Sequence, residues 1–377
     1  MKTTLKLLFS SLLILAFSCT APHDKYRIVG YISGSNGFDF SKVDAKKLTH
    51  INYAFANIIN GEVMFDTSKF NNTEQNKSDL RALRNLRKIN PELKVLISVG
   101  GWGWSGNFSD AALNDSTRER FAGSAVKFIS ENDIDGIDLD WEYPNQIGAG
   151  NKFRKEDVAN FTLMIKAIRD KLDSLTTESS SGREYLISVA TGGDSAYIAN
   201  TKLGEVAEYV DFINIMSYDL HNGNTPQSGH HTNLYMSRFD SPYGNATDRS
   251  VKMHLQAGVP AEKLNIGIPF YGRRWKHVKP VNYGLYQDSP AGGQGISYEA
   301  VKKALSDPLF EKHWDSTASA PWLWNSRDSV FISYDDTTSI RIKMNYIKKN
   351  RLGGVMFWEY TEDTDGKLLD AVYKDLN

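Results

Sequence analysis

The chain has 377 residues, of which 41% are hydrophobic and 24% are charged, and its formal net charge at pH 7 is −1. This length and composition indicate an ordinary globular protein with enough apolar residues for a sizeable core. The near-zero charge gives no support to nucleic acid or an anionic membrane surface as a partner.

The first 19 residues predict an export signal. Lys2 and Lys6 precede an apolar run over residues 7–17, which is too short to span a bilayer as a permanent helix. The only cysteine, Cys19, ends this segment, and its surroundings resemble a bacterial lipoprotein signal. We therefore expect lipidation of Cys19 rather than a buried structural thiol, with residues 20–25 as a short tether. The protein would be exported and lipid-anchored at the bacterial cell envelope, or otherwise secreted or periplasmic.

From residue 26 onward, apolar strands alternate with amphipathic helices. The predicted strands cover residues 27–32, 48–55, 94–101, 135–142, 185–190, 210–216, 264–270 and 354–358. The predicted helices cover residues 78–90, 115–131, 156–175, about 202–209, 249–257, 339–350 and 367–376. Eight buried strands interleaved with helices favour an α/β fold of the (β/α)8 TIM barrel type. A doubly wound nucleotide-binding fold is disfavoured because residues 30–34 lack the glycine spacing of a phosphate-binding turn.

The interval between predicted strands seven and eight is unusually long. More than 80 residues separate them, far above the usual connection length. We expect a small α+β insertion over residues 272–333, inside a single catalytic domain covering residues 20–377. In a barrel this connection emerges on the catalytic face, so the insertion should form a wall of the site.

The stretch from Asp135 to Pro144 carries the most specific signal. Read as an extended strand, three acidic residues fall on one side and three apolar residues on the other: Asp138, Asp140 and Glu142 against Ile137, Leu139 and Trp141. Same-face neighbours lie about 6.8 Å apart, and two charges there repel by roughly 2.4 kcal/mol at an effective dielectric of about 20. One carboxyl should therefore keep its proton near neutral pH, as a general acid requires. The alternatives are a solvated acidic edge strand and a calcium loop, although calcium loops place their acids around glycines in a turn.

Aromatic and polar residues follow the carboxyl ends of several other predicted strands. They are Tyr31, Tyr53 with Phe55, Ser98–Trp102, Met216–Asp219, Tyr271–Arg273 and Trp358–Glu359. Each alone is weak evidence, because an aromatic residue at a strand end more often belongs to the core. Active sites of barrel enzymes are built at this end, so their coincidence predicts the site.

These motifs resemble those of glycoside hydrolase family 18, the chitinases. Residues 135–142 match the DGxDxDxE signature, residues 98–101 resemble the SxGG motif, and residues 216–219 resemble the MxYD motif. Residues 271–273 and Tyr334-Asp335 resemble elements of the chitinase branch that carries an α+β insertion. The resemblance spans residues 26–377.

The resemblance implies hydrolysis of β-1,4 bonds between N-acetylglucosamine units by a substrate-assisted, retaining mechanism. Glu142 would protonate the glycosidic oxygen and later act as base for water. Asp140 would orient the acetamido N–H of the substrate, and Asp138 would share a proton with Asp140. Tyr218 would hydrogen-bond the acetamido carbonyl.

The resemblance also implies a set of substrate contacts. Trp358 would be the floor under the distorted sugar, and the further contacts would be Tyr31, Phe55, Gly101, Trp102, Tyr143, Met216, Asp219, Tyr271 and Arg273. We expect no cofactor and no metal, because His221, His230 and His231 do not make a ligand set.

Two alternatives remain open beside a chitinase. One is an endo-β-N-acetylglucosaminidase that acts on N-glycan cores with the same acid pair. The other is a non-catalytic chitin-binding lectin on the same barrel, although such lectins usually lose the acid that Glu142 supplies here. The expected partners are chitin or N-acetylglucosamine oligosaccharides, with no nucleic acid, with a membrane only through the lipid anchor, and with the protein as a monomer.

Overall fold

The computed structural model describes residues 25–34, 38–66, 73–178, 182–242, 244–290 and 292–377. The predicted export signal and Cys19 lie outside these residues. Within the described part, no helix is both long enough and apolar enough to cross a membrane.

The strands, in chain order, are β1 (Arg27–Ser33), β2 (His50–Ile59), β3 (Glu62–Met64), β4 (Lys94–Gly100), β5 (Gly136–Asp140), β6 (Leu186–Gly192), β7 (Phe212–Met216), β8 (Leu264–Pro269), β9 (Tyr271–Trp275), β10 (Gln294–Ser297), β11 (Glu311–Asp315), β12 (Ala320–Asn325), β13 (Val330–Ser333) and β14 (Gly354–Trp358). The helices are α1 (Thr73–Asn85), α2 (Phe108–Ala111), α3 (Asp115–Asn132), α4 (Asp157–Glu178), α5 (Ser195–Ala199), α6 (Leu203–Tyr209), α7 (Thr247–Gln256), α8 (Tyr298–Ser306), α9 (Thr337–Asn350) and α10 (Lys367–Leu376).

Eight of these strands form a closed parallel barrel, which confirms the predicted fold class. Their order around the barrel is β1-β14-β8-β7-β6-β5-β4-β2, and β1 closes the ring by pairing with β2 as well as β14. The strands are near-continuously apolar because both of their faces are covered. One face fills the barrel interior with residues such as Val29, Leu96 and Met356, and the other packs against the surrounding helices.

Helix ends follow the local sequence. Asn114 caps α3 with a reciprocal hydrogen-bond pair to Thr117, and the helix ends at Asp133 in a left-handed conformation with φ 49°. The predicted helix over 78–90 lies earlier, at α1, and is followed by a 3-10 turn over Leu86–Lys88 that tightens the chain ahead of Pro91. The predicted end of the second strand was also too early, because β2 runs on to Ile59 through an irregularity after Ala54 and turns back as β3.

The insertion between β8 and β14 is a separate antiparallel sheet with one helix, α8. Its strand order is β10-β9-β13-β12-β11, and its own apolar cluster contains Trp275, Val278, Leu285, Tyr286, Trp322, Trp324 and Phe331. Behind this sheet, Asp335 forms a fully buried ion pair with Lys343 of α9, which also donates to the carbonyl oxygen of Thr232 at 2.6 Å. The pair joins the insertion, the loop after β7 and the barrel wall.

Candidate active site

The acidic stretch alternates between two environments, as its period of two predicts. Asp138 and Asp140 of β5 are buried at 0% and 5% exposure on the interior side of the strand. Ile137, Leu139 and Trp141 belong to the apolar core that packs beneath the helices. The strand therefore holds its carboxylates in the barrel interior, near the carboxyl-terminal ends of the parallel strands.

The strand ends one residue pair earlier than the sequence predicts. β5 stops at Asp140, whose carbonyl oxygen accepts hydrogen bonds from the Gly101 amide at 2.8 Å and the Ser105 hydroxyl at 3.1 Å. The same hydroxyl oxygen accepts the Glu142 amide at 2.8 Å. Ser105 thus fixes the backbone on both sides of the turn that carries Glu142 out of the sheet.

Two glycines allow this close approach. Gly100 and Gly101 have φ values of +105° and +85°, a region that residues with a Cβ rarely adopt. A Cβ on Gly100 would lie 2.3 Å from the carbonyl oxygen of Asp140, and one on Gly101 would lie 2.7 Å from the Phe55 ring. The backbone of this pair therefore lies directly against the end of the acidic strand.

Asp138 is held by three hydroxyl donors. Tyr31 and Ser98 donate to its Oδ2 at 2.9 and 2.7 Å, and Ser188 donates to its Oδ1 at 2.6 Å. Burial raises the pKa of Asp138 above its ordinary value, while the hydrogen bonds oppose that rise. The carboxylate is thus desolvated but well supplied with donors.

The pKa values of Asp140 and Glu142 are both raised. Asp140 Oδ1 is buried and has no hydrogen-bond partner among the described residues, and burial together with the charges of Glu142 and Asp138 raises its pKa well above the ordinary value. Burial also raises the pKa of Glu142 to about 7, with Asp219 adding to the rise and a hydrogen bond from Tyr143 opposing it. From the sequence, repulsion between the carboxylates was expected to retain a proton, but burial is the larger cause of both raised pKa values.

Tyr218 follows β7 beside this group. Its hydroxyl lies 3.9 Å from the sulfur of Met356, and its ionisation is strongly opposed because burial and the charges of Asp140 and Glu142 raise its pKa well above the usual range. Tyr218 therefore stays a neutral donor near the acids.

Asp219 lies at the centre of a second polar group. Tyr271 donates to its Oδ1 at 2.7 Å, Arg273 binds both carboxylate oxygens, and His231 Nδ1 lies 3.5 Å from Oδ1. Burial alone would raise the pKa of Asp219, but His231 and Arg273 outweigh it and hold the pKa well below the ordinary value. Asp219 is thus a fixed negative charge near Glu142.

Aromatic rings surround the acids. The rings of Phe55 and Trp358 stack at a centroid distance of 5.4 Å and an angle of 20°, and Tyr31 lies 5.8 Å from Trp358. Trp102 is 52% exposed and lies 6.3 Å from the ring of Tyr143. Exposed aromatic faces of this kind suit the apolar face of a sugar ring.

Most predicted site residues line one cleft of about 810 Å³. These residues are Phe55, Gly101, Trp102, Asp140, Glu142, Tyr143, Met216, Tyr218, Asp219, Tyr271, Arg273 and Trp358. Two predicted residues do not line it: Asp138 and Tyr31 lie beneath the cleft at 0% and 1% exposure, and Tyr31 contacts Asp138. The predicted direct contact of Tyr31 with substrate is therefore replaced by support of a buried carboxylate.

Several residues of the cleft were not predicted from the sequence. The cleft lining also includes Trp104, Leu220 and a set of glycine and polar residues: Gly192, Gly193, Asp194, Asn222, Gly223, Asn224 and Asn245. Gly192 is the last residue of β6 and Gly193 follows it. The strand was predicted to stop at residue 190, so a prediction of its full length would have placed this pair at the site. The asparagines lie in a long loop whose sequence has no periodic signal.

The histidines considered as metal ligands are separated by their environments. His231 faces Asp219, whereas His230 Nε2 lies 3.5 Å from Asp315 in the insertion. Among the described residues, no group of three or more histidine, cysteine or acidic side chains has the arrangement of a metal site.

Sequence comparison gives a consistent family. A family model described as "Glycosyl hydrolases family 18" matches residues 27–363. The chain is 36% identical to "Chitinase A1" of Niallia circulans, with 94% of the chain covered but only 59% of that relative's length. It is 28% identical to "Chitinase B" of Serratia marcescens, with 88% of the chain and 80% of the relative covered.

Solved structures agree with these relatives. A family 18 N-acetylglucosaminidase from Paenibacillus barengoltzii is 40% identical, with a TM-score of 0.85 over 93% of this chain and 100% of that one. "Chitinase ChiA74 from Bacillus thuringiensis" is 31% identical, with a TM-score of 0.85 over 93% of this chain and 70% of that one.

Proposed function

This chain belongs to glycoside hydrolase family 18, and we propose that it hydrolyses β-1,4 bonds between N-acetylglucosamine units of chitin or chitooligosaccharides. The observation that carries the proposal is a buried glutamic acid with a pKa of about 7, lying in an aromatic cleft beside an aspartic acid without a hydrogen-bond partner at Oδ1. The named chitinases among its relatives support the same substrate class.

The reaction follows from the roles that these side chains can take. Glu142 donates its proton to the glycosidic oxygen as the bond between that oxygen and the anomeric carbon breaks. The acetamido carbonyl oxygen of the substrate bonds to the anomeric carbon and gives an oxazolinium ion. The Glu142 carboxylate then takes a proton from water, which attacks the anomeric carbon and restores the acetamide with retention.

The remaining polar residues stabilise the positive charge of the intermediate. Asp140 accepts a hydrogen bond from the acetamido N–H, and its free Oδ1 is available for that contact. Asp138 and Asp140 together hold one proton and one negative charge, because burial and the charge of Asp138 both oppose ionisation of Asp140. Tyr218 donates to the acetamido oxygen, and Trp358 lies under the sugar ring.

A Glu142→Gln substitution tests the assigned acid. We expect turnover of N-acetylglucosamine oligomers to fall by at least about 10²-fold while oligomer binding persists, as for loss of a general acid. Near-parental turnover would exclude the assigned role. The lectin alternative predicts no turnover in the parent protein either.

A product profile tests the substrate class and the kind of cut. The purified protein is incubated with N-acetylglucosamine hexamer and, separately, with an N-glycopeptide. Cleavage of the hexamer alone supports the proposal, whereas cleavage of the glycopeptide core alone supports the endo-β-N-acetylglucosaminidase alternative. Because one of the similar solved structures is that of an N-acetylglucosaminidase, the time course must also separate release of single units from release of longer products.

We also propose that the protein is exported and lipid-anchored through Cys19. The support is the basic, apolar and cysteine-terminated order of residues 2–19. The Cys19→Ala variant should leave the membrane fraction, with the parent protein as control. Continued association of the variant with membranes would contradict lipidation.

A further inference from the structure

A chain of hydrogen-bonded side chains crosses the barrel interior beneath the cleft. Arg27 Nε donates to Asn265 Oδ1 at 3.1 Å, and Asn265 Nδ2 donates to Asn214 Oδ1 at 2.9 Å. Asn214 Nδ2 donates to the Tyr31 hydroxyl oxygen at 3.2 Å, and that hydroxyl donates to Asp138 Oδ2 at 2.9 Å. The chain leads from the amino-terminal mouth of the barrel to the buried carboxylate.

Arg27, at the end of this series farthest from Asp138, fixes which group donates and which accepts in each hydrogen bond. A guanidinium group can only donate hydrogen bonds, so the Asn265 side chain must turn its oxygen toward Arg27 and its nitrogen toward Asn214. The same constraint passes to Asn214, whose nitrogen must face Tyr31. Asn214 and Asn265 are 0% exposed, so solvent cannot supply substitutes for these partners. The hydroxyl hydrogen of Tyr31 is left for Asp138.

We propose that Arg27, Asn265 and Asn214 are positioning residues that hold Tyr31 as a donor to Asp138. They thereby make Asp138 the ionised member of its pair with Asp140. None of the three lines the cleft. Arg27 and Asn265 act on Asp138 through Asn214 and Tyr31, and a hydrogen bond from the Asn214 side chain also lowers the pKa of Asp138 directly. The kinetic test of this inference rests on the proposed hydrolysis, whereas a direct titration of Asp138 does not.

The neighbours of Asp138 are consistent with this assignment. Ser98 and Ser188 supply two more hydroxyl donors from β4 and β6, whereas Asp140 Oδ1 on β5 has no donor among the described residues. Tyr218, which follows β7, stays neutral in this buried setting. The proton of the pair therefore belongs on Asp140, where a donor is lacking.

The neighbours of Arg27 keep it cationic. Burial lowers the pKa of Arg27 to about 10, with the charges of Asp211 and Glu262 opposing that fall. The adjacent His50 is kept neutral, because burial and the charge of Arg27 lower its pKa to about 3. Arg27 is thus a donor-only group throughout the pH range of an activity assay.

The Asn265→Leu variant tests the chain while keeping the charge of Arg27 and nearly the same side-chain volume. Two readouts are used: the carboxyl titration of Asp138 by ¹³C NMR with labelled aspartate, assigned with Asp138→Asn, and the acid limb of the kcat–pH profile. We expect the midpoint of the Asp138 titration and the midpoint of the acid limb to rise by about half a pH unit or more. A shift of this size corresponds to a fraction of the free energy of one hydrogen bond to a charged group. Asn325→Leu is the control, because Asn325 is a buried asparagine (2% exposed) in the insertion and its loss should move neither readout.

A double variant separates positioning from a general loss of packing. Tyr31→Phe should move the limb in the same direction. Adding Asn265→Leu to it should cause a smaller movement than Asn265→Leu causes alone, because only the direct hydrogen bond from Asn214 to Asp138 is then left to perturb. Equal shifts in both backgrounds, or an unmoved titration in folded Asn265→Leu, would overturn the inference. If Asn265→Leu does not fold, Asn265→Ser keeps a polar group too short to bridge both partners, and the same outcomes apply. If the protein shows no hydrolysis, the proposed function fails, while the NMR titration still decides this inference.

Discussion

The proton on Glu142 should respond in opposite directions to two neighbouring substitutions. Asp219 raises the pKa of Glu142 by its charge, and Tyr143 lowers it through a hydrogen bond. Asp219→Asn should therefore move the alkaline limb of the kcat–pH profile down, because the acid loses its proton earlier. Tyr143→Phe should move the same limb up.

The structure sets the scale of these shifts. A rise from the ordinary value of 4.5 to about 7 corresponds to roughly 3 kcal/mol of preference for the protonated form. About half of the enzyme then carries the proton at pH 7, against well under about 1% for an unperturbed glutamic acid. Burial is the largest cause and neither substitution removes it, so we expect each limb to move by about 0.5 to 1 pH unit.

The assay is initial-rate hydrolysis of an N-acetylglucosamine oligomer between pH 4 and 9 at saturating substrate. Asp219→Asn also leaves Arg273 without its carboxylate partner, and that free cation would lower the pKa of Glu142 further, so the expected sign stands. Thermal melts of both variants verify folding across the range. Shifts of the same sign in both variants, or an alkaline limb that persists unmoved in both, would refute the assignment of this limb to Glu142.

Three further predictions concern stability. The folded-state pKa of Glu142 is raised, so its contribution to the free energy of unfolding is complete at low pH and is lost as pH rises from about 4.5 through about 7. In urea unfolding, Glu142→Gln should therefore be more stable than the parent by roughly 3 kcal/mol at pH 8 and equally stable at pH 4. Equal gains in stability at both pH values would contradict this. Gly100→Ala should cost about 2 kcal/mol or more, because its Cβ would meet the Asp140 carbonyl oxygen at φ +105°, whereas Gly106→Ala, with open space around it, should stay within about 0.5 kcal/mol. Lys343→Met should cost about 3 to 5 kcal/mol, because it leaves the Asp335 carboxylate buried without its ion pair. A loss below about 1 kcal/mol in the same unfolding assay would show that the hydroxyls of Thr232 and Ser339, which also donate to Asp335, are sufficient partners.

The sequence predicted the barrel and its acid group because both depend on simple periodicities. Alternation of acidic and apolar residues over 137–142 places Asp140 and Glu142 correctly at the cleft, and the long interval before Gly354 predicts the insertion. The same pattern could not say how deeply Glu142 is buried, which is the main cause of its raised pKa. That depth depends on loops packed over the strand end.

Two misses have different physical reasons. Tyr31 was expected to contact substrate, but its side chain is buried in the barrel interior. Its position near the end of a predicted strand does not indicate how far below the cleft the side chain lies. Asn222, Asn224 and Asn245 line the cleft from a loop that has no repeating pattern, so only the folded chain brings them there. Sequence periodicity locates regular elements and leaves such loop contributions undetermined.

The direction of β1 has a consequence for how an anchored enzyme would meet its substrate. The strand begins at Arg27, at the mouth opposite the cleft. The lipid proposed on Cys19 would therefore hold the barrel at its amino-terminal end. Six residues, 20–25, span at most about 20 Å even when fully extended. This is shorter than the barrel, whose helix α4 of 22 residues is about 33 Å long, so the tether could not bring the opposite end of the barrel to the membrane. The catalytic opening would face outward from the bilayer, toward polymer arriving from the surroundings rather than glycans lying on the anchoring membrane.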